Sequence, residues 1–106
     1  MAKASDAMSP AAFQLDSGTP DTVAVSGTLS FTTAAAALDA LNTVLAQGGR
    51  QKLDLAAVSS CDSAGLACVL AALAAADSRG QAVRVQHAPD GMRALATVCG
   101  VEQLIA

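Results

Sequence analysis

The segment Asp62-Ser63-Ala64-Gly65-Leu66 carries the side chains of this sequence that are best placed to do chemistry. Asp62 and Ser63 are both good helix N-cap residues, because their side-chain oxygens accept hydrogen bonds from the unpaired N–H groups of a first turn. One interpretation is that the two residues only cap a helix. The other is that the Ser63 hydroxyl is a contact or phosphorylation point, since a phosphate there would meet free N–H groups and the positive end of the helix dipole.

Other catalytic or metal-binding patterns are missing from the sequence. His87 is the one histidine and stands between a predicted strand and Pro89, which favours a loop residue over a general base. Ser63 has no G-x-S-x-G context, and no G-x-x-x-x-G-K phosphate loop occurs. The three cysteines, Cys61, Cys68 and Cys99, form no C-x-x-C pair and predict reduced thiols rather than a zinc site. We therefore expect no catalytic residue, no metal and no cofactor.

Composition limits the classes of partner. The 106 residues are 53% hydrophobic and 14% charged, as expected for one globular domain. A net charge of −3 and a pI near 4.7 argue against nucleic-acid binding. The longest apolar run, 64–76, is shorter than the roughly 20 residues of a membrane span. We expect a cytoplasmic protein without direct membrane insertion, with a flexible tail over 1–11 and a domain over 12–106.

The elements that would position Ser63 follow from hydrophobic periodicity and from glycine and proline breaks. The predicted strands are Phe13–Leu15, Val23–Val25, Lys52–Leu55 and Val83–Gln86, and the predicted helices are Ala34–Ala46, Asp62–Arg79 and Gly91–Cys99. Gly27–Thr33 and Ala56–Cys61 are predicted as connections, and Val101–Ile105 as a short extended end. Strands that alternate with helices predict an α/β protein with parallel crossovers and a mixed sheet.

The predicted second helix has one face without large side chains. Its inner face carries four apolar residues: Leu66, Val69, Leu70 and Leu73. Its outer face carries small residues and no charge before Asp77, namely Ala64, Ala67, Cys68, Ala71 and Ala75. A smooth surface beside Ser63 favours the close docking of a protein partner. The alternative is that an alanine-rich composition simply places alanine at neutral surface positions.

An ordered set of motifs resembles the STAS domain, the fold of the anti-sigma-factor antagonists. Leu53-Asp54-Leu55, followed by D-S-x-G-L at 62–66, resembles the STAS signature, with Ser26-Gly27-x-Leu29 before it and Gly80 after it. The resemblance runs from about Phe13 to Ile105. It implies a small mixed sheet of four to five strands with helices packed mainly on one face.

Within that family, the segments 92–96 and 98–101 are similar to the ends of MlaB-type subunits. This resemblance implies a non-catalytic subunit that binds and stabilises or regulates the ATPase (MlaF) of the Mla phospholipid ABC transporter, which maintains outer-membrane lipid asymmetry. Binding to this ATPase would hold the chain at the cytoplasmic side of the inner membrane. The resemblance places the Ser63 position in that contact. Together with the small-residue face of the helix, it gives the predicted partner-binding residues Ser63, Asp62, Ala64, Ala67, Cys68 and Ala71.

The antagonist branch of the family implies a different function. In that branch the position of Ser63 is the serine that a partner kinase phosphorylates, so the chain would be a signalling switch. Antagonists tend to have G-E-L-D before the first helix, and these acids help to dock the kinase. This sequence has Gly27-Thr28-Leu29-Ser30 and lacks both acids, which disfavours the kinase without excluding it.

Overall fold

A computed structural model describes residues 13–105, so the predicted tail over 1–11 lies outside the described part of the chain. The elements are β1 (Phe13–Asp16), β2 (Thr22–Leu29), α1 (Ala34–Ala46), β3 (Lys52–Cys61), α2 (Ser63–Ser78), β4 (Arg84–Gln86), α3 (Asp90–Cys99) and α4 (Glu102–Ile105). The sheet order is β1-β2-β3-β4, with β1 antiparallel to β2 and the other neighbours parallel. The predicted mixed α/β architecture is confirmed. None of these helices is long and apolar enough to cross a membrane.

One face of the sheet forms the core with the helices. Val23 of β2 pairs with Leu53 of β3, and both are fully buried together with Val25 and Leu55 of the same strands. The helices complete the same cluster, with buried residues that include Leu41, Leu45, Leu66, Val69, Met92 and Ala96. On the opposite face, Ala24 and its pairing partner Asp54 stay partly exposed. Alternation along the strands thus separates a helix-covered face from an open one.

Strand β3 is longer than its sequence pattern predicts. Residues 56–61 were expected to form a loop, but they continue the strand to Cys61. Two register shifts, each with one extra β3 residue, interrupt the pairing with β2 and break the alternation of buried and exposed residues. Two side-chain hydrogen bonds lie at these irregularities: Asp54 Oδ1 accepts from the Ala56 N–H within β3, and Ser59 Oγ donates to the Gly27 carbonyl of β2.

Strand β2 and the end of the chain also differ from the sequence prediction. The turn expected at 27–33 is wrong in its first part, because β2 continues through Gly27, at φ 92°, to Leu29, which pairs with Cys61. The end expected to be extended is instead helix α4, which follows a left-handed Gly100 and buries Ile105. The conformation of both short segments depends on tertiary contacts, strand pairing in the first and burial in the second. The local sequence does not show these contacts.

Helix α2 lies unusually close to the end of β2. A Cβ atom on Gly65 would stand 2.7 Å from the carbonyl carbon of Leu29, 2.9 Å from the Leu29 Cβ and closer still to the Leu29 oxygen. The same carbonyl oxygen accepts a hydrogen bond from the Asp62 N–H at 3.2 Å. Only glycine fits at position 65 without displacing backbone.

Replacing Gly65 with alanine should therefore destabilise the fold. We expect Gly65→Ala to lower the free energy of unfolding by roughly 1–3 kcal/mol, as overpacking of a close contact does. Urea denaturation followed by circular dichroism would measure the change. Gly91→Ala is the matched control, because Gly91 is also helical and its Cβ would meet nothing within 4 Å. Equal stabilities of the two variants would contradict the close contact as the reason for glycine.

Candidate functional site

Asp62 is the N-cap of helix α2. Its backbone is extended, at φ −115° and ψ −171°, and its Oδ1 accepts the Gly65 N–H at 3.0 Å. Its carbonyl oxygen accepts the Leu66 N–H. Sequence reasoning left open which of two neighbouring residues caps the helix, and the geometry assigns that role to Asp62.

The second oxygen of the Asp62 carboxylate joins the helix start to a distant loop. Oδ2 accepts the backbone N–H of Phe31 at 3.0 Å, in the loop of residues 30–33 between β2 and α1. These two N–H donors, first Phe31 and then Gly65, lower the pKa of Asp62. A carboxylate whose pKa is lowered by folding stabilises the folded state at pH values above its ordinary pKa. That stabilisation is lost as the pH falls through the lowered pKa.

Ser63 begins the helix and is left free by this arrangement. Its side chain is exposed, and its hydroxyl has no hydrogen-bond partner within residues 13–105. Because Asp62 caps the helix, no structural role in the described fold accounts for the Ser63 hydroxyl. It is therefore available to a partner or to a modifying enzyme.

A stripe of small exposed side chains continues from Ser63 along α2. We call Ser63, Ala67, Ala71 and Ala74 the Ser63 stripe; the four residues are exposed and lie on one face of the helix. Ala64, beside the stripe, is half-buried. No charged side chain occurs on α2 before Asp77.

Cys68 does not belong to this surface, and its assignment to the outer face was wrong. Only 4% of the residue is accessible. The buried arc of α2 is wider than the wheel predicted, because both the sheet and the neighbouring helix α1 pack against α2. Conversely, Leu70 and Leu73 are only half-buried and line a groove that Leu104 also borders.

Phe31 is the residue near Ser63 that sequence reasoning did not select. Its side chain is 82% exposed, although its backbone is bonded to the residue before Ser63. The available signal was a phenylalanine within the polar segment 30–33. Its proximity to Ser63 was not visible in the sequence, because Phe31 and Asp62 are 31 positions apart in the chain.

A second polar pair links Asp54 to His87. His87 Nδ1 lies 3.1 Å from Asp54 Oδ1, and His87 is exposed with a left-handed backbone at φ 57°. The pKa of Asp54 is lowered, chiefly by the Ala56 N–H and also by His87. Within residues 13–105, no hydroxyl or thiol is hydrogen-bonded to His87, so the nucleophile of a triad is missing there.

The cysteines are unpaired thiols in the described chain. Burial raises the pKa of Cys68 to about 11, and burial together with the Asp62 charge raises the pKa of Cys61. Both groups therefore stay protonated at neutral pH and are poor nucleophiles. Residues 13–105 also contain no cluster of His, Cys, Asp or Glu that could hold a metal ion.

The fold is similar to that of known regulatory proteins. The unphosphorylated anti-sigma factor antagonist SpoIIAA aligns with a TM-score of 0.68 at 19% identity, covering 89% of this chain and 85% of that one. The phosphorylated form of SpoIIAA, a Bacillus cell fate determinant, aligns with a TM-score of 0.64 at 20% identity, covering 89% and 88%. At these identities the likeness shows the fold alone.

A third structure, that of Mglu, aligns with a TM-score of 0.55 at 30% identity over 73% of this chain and 19% of that much longer one. No curated protein matches the chain significantly. The model of the family described as "Mlab, STAS domain" matches residues 13–106, nearly the whole chain. The chain therefore belongs to the MlaB family of STAS domains.

Proposed function

We propose that the chain is a non-catalytic STAS subunit that binds and stabilises or regulates the ATPase of a phospholipid-trafficking ABC transporter. The ATPase would hold it at the cytoplasmic face of the inner membrane, where the complex serves outer-membrane lipid asymmetry. The observation that carries the proposal is the free, exposed Ser63 hydroxyl at the start of an uncharged helix face. Membership of the MlaB family supports it.

The docking surface we propose consists of Ser63, Asp62, Ala64, Ala67 and Ala71. Alanine side chains let a partner's backbone or side chains approach closely, and they lose no side-chain entropy on binding. The Ser63 hydroxyl supplies a polar group that can both donate and accept a hydrogen bond within such a contact. Cys68 is not part of the proposed surface, because it is buried.

Purification of the chain from native membranes would test the proposal directly. We expect an ABC-type ATPase to co-purify and to be identified by mass spectrometry. Recovery of a small kinase in place of the ATPase would instead favour a signalling switch that is phosphorylated on Ser63.

Substitution of Ser63 should affect partner binding without affecting the fold. Ser63→Ala should change the free energy of unfolding by no more than about 0.5 kcal/mol, as at other surface sites. It should weaken the ATPase complex, and Ser63→Glu should weaken it further through added bulk and charge. Ser78→Ala, an exposed serine at the other end of the same helix, is the control. Wild-type affinity in both Ser63 variants, measured by titration calorimetry, would remove Ser63 from the contact.

Charge within the Ser63 stripe should also disrupt the complex. Ala67→Glu and Ala71→Glu should leave the isolated fold intact, because both positions are exposed. Each should reduce ATPase affinity at least tenfold, since an unpaired charge buried in an interface costs on the order of several kcal/mol. Ala94→Glu, at an exposed position of α3, is the control. If both variants bind the ATPase as the wild type does, the stripe faces solvent in the complex.

The second candidate function is a signalling switch, an anti-anti-sigma factor phosphorylated on Ser63 by a partner kinase. The accessible hydroxyl at a helix start favours it, because a kinase needs such access. The residues at positions 28 and 30 count against it. Thr28 and Ser30 stand where the antagonists tend to have two acids, so the chain lacks the charges that help to dock a kinase. A phosphate on Ser63 would also adjoin the Asp62 carboxylate, which already accepts the Gly65 N–H of the first turn.

Intact-mass spectrometry separates the two functions. Under the transporter proposal, phosphate would add nearly two negative charges and block docking, so protein isolated from its native host should carry no phosphate on Ser63. A phosphatase-treated aliquot of the same preparation gives the reference mass. A large phosphoserine fraction that varies with growth state would support the switch and overturn the transporter role.

A further inference from the structure

The loop that precedes α1 presents an aromatic ring to solvent. Phe31 is 82% exposed, and it is one of two phenylalanines in the whole sequence. The ring therefore contributes little to the hydrophobic core, whereas its burial on binding would remove a large apolar area from water.

The backbone on both sides of the ring is held by hydrogen bonds. Thr33 Oγ1 donates to the Thr28 carbonyl and accepts the Ser30 N–H, both at 2.9 Å, and Thr33 is buried. The Phe31 N–H itself is bonded to the Asp62 carboxylate at 3.0 Å. Because the backbone is already ordered, Phe31 loses less conformational entropy on binding than a phenylalanine in a flexible loop would.

Charge on this side of the molecule has one sign. The loop of residues 30–33, helix α1 and the segment 62–76 carry Asp39 and Asp62 and no lysine, arginine or histidine. An apolar projection whose neighbouring segments carry only acidic charge is complementary to a partner surface with an apolar pocket edged by basic residues.

We propose that Phe31 is the anchor of the ATPase contact, inserting into an apolar pocket of the ATPase that is rimmed by lysine or arginine. This inference rests on the proposed function and names the chemistry of the partner surface. The Asp62 carboxylate holds the Phe31 backbone at the start of α2, next in the chain to Ser63, so that one partner surface can meet both residues. Aromatic anchors at the centre of an interface commonly supply much of the binding energy.

Binding of the full chain to the purified transporter ATPase would test the anchor. Phe31→Ala should raise the Kd at least tenfold, measured by titration calorimetry, and should leave the melting temperature unchanged. Val98→Ala is the matched control, because Val98 is 86% exposed on α3. Added salt should weaken binding of the wild type, and Asp39→Asn should reduce that salt dependence.

Each result bears on a different part of the proposal. If the wild type binds the ATPase and Phe31→Ala binds equally well, the anchor is wrong while the proposed function stands. If the wild type does not bind the ATPase, both fail. If Phe31→Ala lowers the melting temperature and Val98→Ala does not, the ring packs against the rest of the fold, and the anchor is wrong. Binding that is independent of salt would overturn the basic rim.

Discussion

The absence of a side chain at Gly65 is the constraint on which this site depends. It lets the first turn of α2 approach the backbone of Leu29, at the end of β2, more closely than any Cβ would permit. At that distance the Asp62 N–H reaches the Leu29 carbonyl, and the Asp62 carboxylate reaches the Phe31 N–H. The contact thus sets where Ser63 and Phe31 stand relative to each other.

A single carboxylate separates structural from functional roles at the start of α2. Asp62 accepts one N–H of helix α2 and one N–H of the loop between β2 and α1, so the neighbouring hydroxyl of Ser63 carries no part of the cap. Evolution can therefore change what Ser63 does without loss of the helix. This division suits a fold whose members share an architecture and differ in partner, because function resides in the site and not in the fold.

Much of the architecture is local and follows from the sequence. Helix α1 has the predicted bounds, 34–46, because a regular leucine stripe runs between threonines and the Gly48-Gly49 pair. Strand β3 was truncated in the prediction, because its two irregularities break the period of two on which strand assignment rests. Those irregularities depend on β2, whose Gly27 carbonyl accepts from Ser59, and a partner strand leaves no local signal.

The sequence by itself determined the α/β class and the helix start at residues 62–63, because capping chemistry, glycine breaks and apolar periodicity act over a few residues. Only the tertiary structure decided which surface accompanies Ser63. Cys68 is buried in the packed fold, and the hydrogen bond from Phe31 to Asp62 spans 31 positions of the chain. Such contacts arise when separate elements pack, and the order of residues along one helix carries no record of what packs against it.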